Sequence, residues 1–257
     1  EPLYEEFVEK FFQHTLYIAG AMDRVGERHD EMWDEEDGFF YDVLRLPDGS
    51  ATRLKVRSIV GLLPLAAVAV FEEDILDKLP HFRERAVLFG ARHPELVAGM
   101  HLPSTPGVAN RRMLSIVDEN KLRRILARML DEDEFFGPHG IRALSRHHLE
   151  HPYVFHQGGQ EHRVAYVPGD SDSGMFGGNS NWRGPVWMPI NYLLYTSLLR
   201  LYAYHGEDFK VECPTGSGTM MTLLEVAKEL GERLTRIFLP DASGARPAFG
   251  AAHKFRD

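Results

Sequence analysis

Apolar residues recur at helical spacing at the start of the chain, at Leu3, Phe7, Phe11, Leu16, Ile18 and Met22, with Glu5, Glu6, Glu9 and Lys10 between them. The pattern predicts one amphipathic helix over residues 3–22. The period then changes. Gly38-Phe39-Phe40-Tyr41-Asp42-Val43-Leu44-Arg45-Leu46 alternates and ends at Pro47-Asp48-Gly49-Ser50, which predicts a short strand, a turn and a return strand over Thr52–Val56. From Ile59 to Val70 the chain is apolar on every side, the pattern of a helix covered by other helices, so an inner helix is expected there. Amphipathic stretches follow around Ile75–Phe89 and Asn120–Phe135. A polar, glycine-rich connection from Gly137 to Gly184 leads to a weakly charged helix expected from Pro185, and a one-faced helix carries Leu223, Ala227, Leu230, Leu234 and Ile237.

An apolar helix followed by an amphipathic one, twice over, predicts an all-α fold: two concentric helical layers, one short β-hairpin, and long functional connections at one end. Their spacing is too uneven for a helical repeat solenoid. Residues 1–257 read as a single segment, and the abrupt ends, Glu1-Pro2-Leu3-Tyr4 and the turn-like stretch after Pro240, give the expectation that it is cut from a longer polypeptide at both. On that reading inner apolar faces such as Leu62, Leu65, Leu194 and Leu198 would be left exposed.

Charge and composition narrow the classes of function. The net charge is −9, from 29 Lys plus Arg against 38 Asp plus Glu, so no long-range field draws in nucleic acid or an anionic membrane. The longest apolar run, Ile59–Phe71, is too short for the ~20 residues of a spanning helix. Cys213 stands alone and can form neither an internal disulfide nor a thiolate cluster; a cytoplasmic location is the expectation. The thirteen His lack the helical pairing of zinc hydrolases, Gly216-Ser217-Gly218 lacks a phosphate loop's Lys, and Gly169-Asp170-Ser171-Asp172-Ser173 is not a nucleophile elbow. No metal and no cofactor is expected.

Chemistry gathers in three connections. The strongest runs from Gly177 to Tyr192, where Asn181, Trp182, Arg183, Gly184, Trp187 and Asn191 combine indoles, a guanidinium and amides. Sugars need this mixture, since pyranose C–H faces stack on aromatic rings while hydroxyls require fixed polar partners. The second runs from Trp33 to Ser58. In it, Asp34–Asp37 is expected to be a solvated acidic run, whereas Asp42 follows Phe39, Phe40 and Tyr41 and should be partly buried, paired with Arg57 or bonded to a ligand hydroxyl. The third is Phe136–Ser145 with the later Asp170-Ser171-Asp172-Ser173.

Asn181-Trp182-Arg183-Gly184-Pro185-Val186-Trp187, with Trp33-Asp34-Glu35-Glu36-Asp37-Gly38-Phe39-Phe40-Tyr41-Asp42 and Arg57-Ser58-Ile59-Val60-Gly61-Leu62, resembles the C-terminal part of glycoside hydrolase family 63, the mannosyl-oligosaccharide glucosidase-like proteins. The likeness extends from about Phe7 to Gly250. It implies an (α/α)6 toroid, here partial, and hydrolysis of an α-glycosidic bond by inversion, for which two carboxyl groups stand ~6.5–9.5 Å apart across the scissile bond. Neither family motif carrying these carboxyl groups occurs in the chain, so no catalytic residue is assigned and the segment alone is expected to be inactive. Its part would be the sugar-binding wall of the pocket, from Asn181, Trp182, Arg183, Gly184, Trp187 and Asn191, with Tyr41, Asp42 and Arg57. The expected partners are a carbohydrate and the rest of the parent polypeptide. A non-catalytic carbohydrate-binding or scaffold module is the alternative; a toroidal prenyltransferase or terpene cyclase would want metal-binding aspartates that Asp34–Asp37 represents poorly.

Overall fold

The structure, a computed structural model, describes residues 2–23, 31–167 and 184–250. It overturns the all-α toroid: the described residues form a mixed α/β fold in which helices are interleaved with six two-stranded antiparallel sheets. In chain order these are helix α1 (Pro2–Asp23), strands β1 (Trp33–Asp34) and β2 (Phe39–Phe40), and the hairpin β3 (Asp42–Arg45) and β4 (Ala51–Leu54). A 3-10 helix (Ile59–Ala66) and β5 (Val68–Phe71) follow, then α2 (Glu73–Asp77), α3 (Pro80–Arg92), α4 (Pro94–Val97), β6 (Arg112–Ser115) and α5 (Glu119–Met129). The remainder comprises β7 (Phe136–Gly137), β8 (Gly140–Ile141), β9 (Tyr153–Gln157), β10 (Gln160–Val164), α6 (Met188–His205), β11 (Lys210–Glu212), β12 (Met220–Thr222) and α7 (Leu223–Arg236).

The expected hairpin forms, with Asp42 opposite Leu54 and Arg45 opposite Ala51. The expected inner helix does not. Ser58 caps a 3-10 helix by accepting the Val60 amide at 3.3 Å, Pro64 lies inside that helix, and the β-branched Val68 and Val70 belong to β5, paired with β6. Proline has no amide to extend an α-helical ladder, and a run apolar on all sides cannot by periodicity alone distinguish helix from buried strand. Gly61 tightens the same segment: a Cβ there would lie 2.3 Å from the Phe39 ring and 2.4 Å from the Phe40 carbonyl. Pro80 likewise divides the amphipathic stretch around Ile75–Phe89 into α2 and α3.

α5, α6 and α7 form as the spacing predicts, α6 starting at Met188 rather than Pro185. Asp118 caps α5 through the Lys121 amide, and Thr222 with Glu225 makes a reciprocal capping box on α7. α6 packs against α7, the 3-10 helix and β5, so Leu62, Leu65, Leu194 and Leu198 are all buried, contrary to the expectation of bare inner faces. Each of these elements covers the apolar side of another. α1 departs from its pattern in the other direction: Leu16 is buried, but Leu3, Phe7, Phe11 and Ile18 are exposed. No helix among the described residues is long and apolar enough to cross a membrane.

Candidate functional site

The acidic, aromatic stretch that begins at Trp33 folds back on itself. β1 and β2 pair through Trp33 with Phe40 and Asp34 with Phe39, and the turn between them closes through the Gly38 amide to the Asp34 carbonyl at 2.8 Å. The Asp34 carboxylate also accepts the Asp37 amide at 2.9 Å, which braces the turn from its own side chain. Asp34 is 3% exposed and pairs with Arg53 at 2.9 Å and Lys55 at 3.0 Å. Asp37 accepts the Tyr41 hydroxyl and Lys55, each at 3.0 Å. The acidic run is therefore not solvated throughout. Alternate residues of the return strand β4 and its extension supply cations that draw two of its four carboxylates inward.

Burial by itself pushes the Asp34 carboxyl up, but the Asp37 amide, Lys55 and Arg53 outweigh it and hold it at about 2. Asp37 is lowered in the same way, burial opposing and Lys55, Tyr41 and Arg57 prevailing. Burial pushes the Tyr41 phenol up to about 12, so it remains a donor to Asp37 across the physiological range.

Arg57 connects this turn to the third stretch. Its guanidinium donates to Glu134 at 2.7 Å and reaches Asp37 at 3.5 Å, while Arg128 donates to the same Glu134 oxygen at 2.6 Å. The second Glu134 oxygen accepts the Ser145 hydroxyl at 3.0 Å. The Arg57 amide donates to His148 Nε2 at 2.9 Å, which fixes the imidazole as an acceptor on that side and a donor from Nδ1 to the His151 carbonyl at 2.9 Å. Burial favours this neutral ring and lowers the His148 pKa.

Main-chain bonds then sew all three chemistry-bearing connections into one seam. Ile59 donates to the Ala143 carbonyl at 2.9 Å, Ser145 to the Arg57 carbonyl at 2.8 Å, and Ala143 to the Pro185 carbonyl at 2.7 Å. Ser58 and Leu144 form a β-bridge. The seam thus places Arg57-Ser58, Ile141–Ser145 and the Gly184-Pro185 end of the aromatic motif side by side.

The residues picked out by sequence fall into different places. Asn181, Trp182 and Arg183 lie outside the described residues, as do Asp170, Ser171, Asp172 and Ser173. Gly184 has φ +67° and, among the described residues, nothing within 4 Å of where a Cβ would stand, a backbone position suited to close approach. Trp187 packs partly buried against the main core at the start of α6. Asn191 is fully buried; it accepts the Ile141 amide at 2.7 Å and donates to the Ile141 and Trp187 carbonyls at 3.0 and 3.1 Å, so its amide holds β8 to α6. Tyr41 is buried beneath the ion network. Arg57 is taken by Glu134, Asp37 and Tyr41, and the Asp42–Arg57 pair envisaged from sequence does not form.

Asp42 is half-buried and, among the described residues, makes no side-chain hydrogen bond or ion pair; burial raises its pKa. It borders a cavity of about 20 Å³ with Tyr41, Ser58 and Gly61, room for a water molecule rather than a hexose. A larger open cleft, about 750 Å³, lies beyond the other side of the turn against Trp33, Glu36, Arg53, Asn120 and Lys121. No group of three or more metal-ligating side chains occurs among the described residues.

Sequence reasoning missed Glu134, Arg128 and His148. A signal for the first was present: Glu134-Phe135-Phe136-Gly137 repeats the acid and paired phenylalanines of the Asp37–Phe40 turn, and Phe39 stacks on Phe135 at 5.7 Å.

Part of the seam lies in a region similar to a known family. Residues 110–215 match the family model described as the glycosyl hydrolase family 63 C-terminal domain. That interval contains Glu134, the Ile141–Ser145 side of the seam and the whole aromatic motif, and it bears out the resemblance read from the motifs. The chain is also 44% identical over 270 residues to "Uncharacterized protein YMR196W" of Saccharomyces cerevisiae, an alignment covering 99% of this chain and 24% of the yeast protein. It is 30% identical over 86 residues to "Probable mannosyl-oligosaccharide glucosidase" of Schizosaccharomyces pombe, covering 33% of this chain and 8% of that protein. The chain therefore spans about a quarter or less of these relatives, and the part over residues 110–215 is similar to the glycosyl hydrolase family 63 C-terminal domain.

The network's titrations make stability depend on pH. Burial, aided by Arg57 and the neighbouring imidazoles, lowers His147 to about 4, and burial lowers His205 to about 4, with the His205 Nε2 atom buried and without a hydrogen-bond partner among the described residues. The unfolded chain binds these protons first, so their contribution is complete above about pH 6.5 and is lost as pH falls towards 4. The Asp34 contribution, present above about pH 4, is lost as pH falls through 2. Urea melts from pH 7.5 to 4 should show declining stability, less steeply for His147→Gln and His205→Gln; parallel pH profiles for wild type and variants would contradict these assignments.

Proposed function

We propose that this chain forms the sugar-binding wall of a glycoside hydrolase pocket that cleaves an α-glucosidic or related small glycosidic bond by inversion. The observation that carries the reading is the seam: Pro185, leading out of the Trp182–Arg183 motif, accepts the Ala143 amide, both inside the interval matched by the family model, and the Ala143–Ser145 segment is in turn bonded to Arg57 and Ile59. The glucosidase named among the relatives supports an α-glucoside as substrate.

In this reading Trp182 and Trp187 offer apolar faces, Asn181 and Arg183 bind hydroxyls, and Gly184 lets the backbone approach the sugar. Asp42, its carboxyl free of internal partners among the described residues, is an acceptor for a sugar hydroxyl through a water in the small cavity it borders. Arg57 and Tyr41 act from behind through their mutual contacts, and Asn191 holds the helix that carries Trp187. The catalytic acid and base belong to the parent polypeptide outside these residues.

Calorimetric titration of the chain with glucose and maltose tests this. Saturable binding is expected, weakened about tenfold or more in Trp182→Ala and Arg183→Ala, the order of one stacking or charged hydrogen-bond contact, at unchanged melting temperature. Absence of saturable sugar binding, or binding indifferent to both substitutions, overturns the reading.

A further inference from the structure

The β9–β10 hairpin is not absorbed by the ion network or the main core. Its root is attached to the seam: Val164 is buried with Val56 and Leu144, Tyr153 and Tyr166 pack on them, and the Tyr166 amide donates to the His148 carbonyl at 3.0 Å. From that root the strands run out to Gly158-Gly159, whose φ values of +57° and +76° suit a tight two-residue hairpin turn and which, among the described residues, have nothing within 4 Å of an added Cβ.

Because side chains alternate, the register divides the hairpin into two unlike faces. One carries Val154, His156, Glu161 and Arg163, all exposed. The other carries three cross-strand pairs in a row, Tyr153 with Val164, Phe155 with His162, and Gln157 with Gln160. The first pair is the buried root. In the second, the Phe155 and His162 rings lie near-parallel, 29° apart with centroids at 6.5 Å, and both are partly exposed. In the third, two exposed carboxamides stand opposite each other, and among the described residues neither has a hydrogen-bond partner. The row extends about 14 Å, four residues at ~3.4 Å each.

We propose that this face is a second sugar subsite, which binds a neutral pyranose of an oligosaccharide beyond the unit cleaved. The inference rests on the reading under Proposed function and deepens it. Paired flat rings offer a surface for the C–H face of a pyranose, and two free carboxamides supply donors and acceptors for its hydroxyls. The face carries no carboxylate, Lys or Arg, so it matches an uncharged ligand rather than a phosphate or an acidic peptide. Its root packs on Val56 and Leu144, beside the Arg57–Ser145 seam that also bonds Pro185 of the proposed pocket wall.

The test compares glucose with α-1,2-, α-1,3- and α-1,4-linked glucobioses by calorimetry on the 257-residue chain, with ring and carboxamide resonances followed by NMR. At least one disaccharide should bind about tenfold more tightly than glucose and shift the Phe155, His162, Gln157 and Gln160 signals. Phe155→Ala should abolish that gain while leaving glucose affinity unchanged. The double variant Gln157→Ala/Gln160→Ala, confined to exposed positions at the tip, should reduce it without altering the melting temperature. If glucose binds but no disaccharide binds more tightly, or the gain survives in both variants, the hairpin subsite is wrong and the pocket reading stands. If no sugar binds, both fall.

Discussion

Glu134→Ala should destabilise the chain by about 3 kcal/mol, measured by urea unfolding at pH 7. One carboxylate oxygen lies 2.7 Å from Arg57 and 2.6 Å from Arg128, and the other accepts the Ser145 hydroxyl. With the carboxylate gone, two guanidinium groups face each other with Asp37 the one remaining carboxylate near both among the described residues, at 3.5 and 3.8 Å. The cost is that of leaving charge buried without its counterion, which exceeds the net worth of an intact pair. Solvent still reaches Arg128, at 22% side-chain exposure, which places the expected loss at the lower end of such effects. Glu134→Gln keeps an acceptor for Ser145 and should lose about half as much. A loss under about 1 kcal/mol in Glu134→Ala would show that the network is an exposed charge cluster with little structural weight.

Asn191→Ala should also cost about 3 kcal/mol, and through a different mechanism. The side chain is wholly buried and satisfies both the amide and the carbonyl of Ile141. Alanine leaves two buried backbone groups unpaired, at about 1–3 kcal/mol each, and creates a small void beside Gly140. Hydrogen exchange at the Ile141 amide should accelerate in step with the loss of stability. Were Asn191 instead a direct sugar ligand, alanine would weaken glucose binding while unfolding stayed the same. Measuring both on one variant separates the two roles.

These two residues show where sequence reasoning stopped. Spacing from Trp187 correctly put Asn191 on α6, but an amide four residues after an indole looks the same whether it meets a hexose or a strand. Asp34 and Asp37 sit in a run of acids that local pattern assigns to solvent, yet Arg53, Lys55, Arg57 and Arg128 arrive from elsewhere and change their state. Asp42 illustrates the converse: burial after three aromatics was legible, while its lack of an internal partner among the described residues was visible only when Arg57 was found engaged elsewhere. The apolar run after Ser58 was ambiguous for a third reason, since residues covered on all sides carry no periodic signal, and Pro64 with Gly61 decided against an α-helix.

The sequence by itself determined the β3–β4 hairpin, the bodies of α5, α6 and α7, and a family resemblance carried by short motifs, because each depends on neighbours along the chain: side-chain period, caps, turn glycines. Tertiary structure alone decided the mixed architecture, the covering of Leu62 and Leu194, and the pairing of Arg57 with Glu134 and Asn191 with Ile141. Those contacts join positions 77 and 50 residues apart. A charge or an amide carries no local record of its partner; only closure of the chain selects among the many groups of opposite sign or matching polarity.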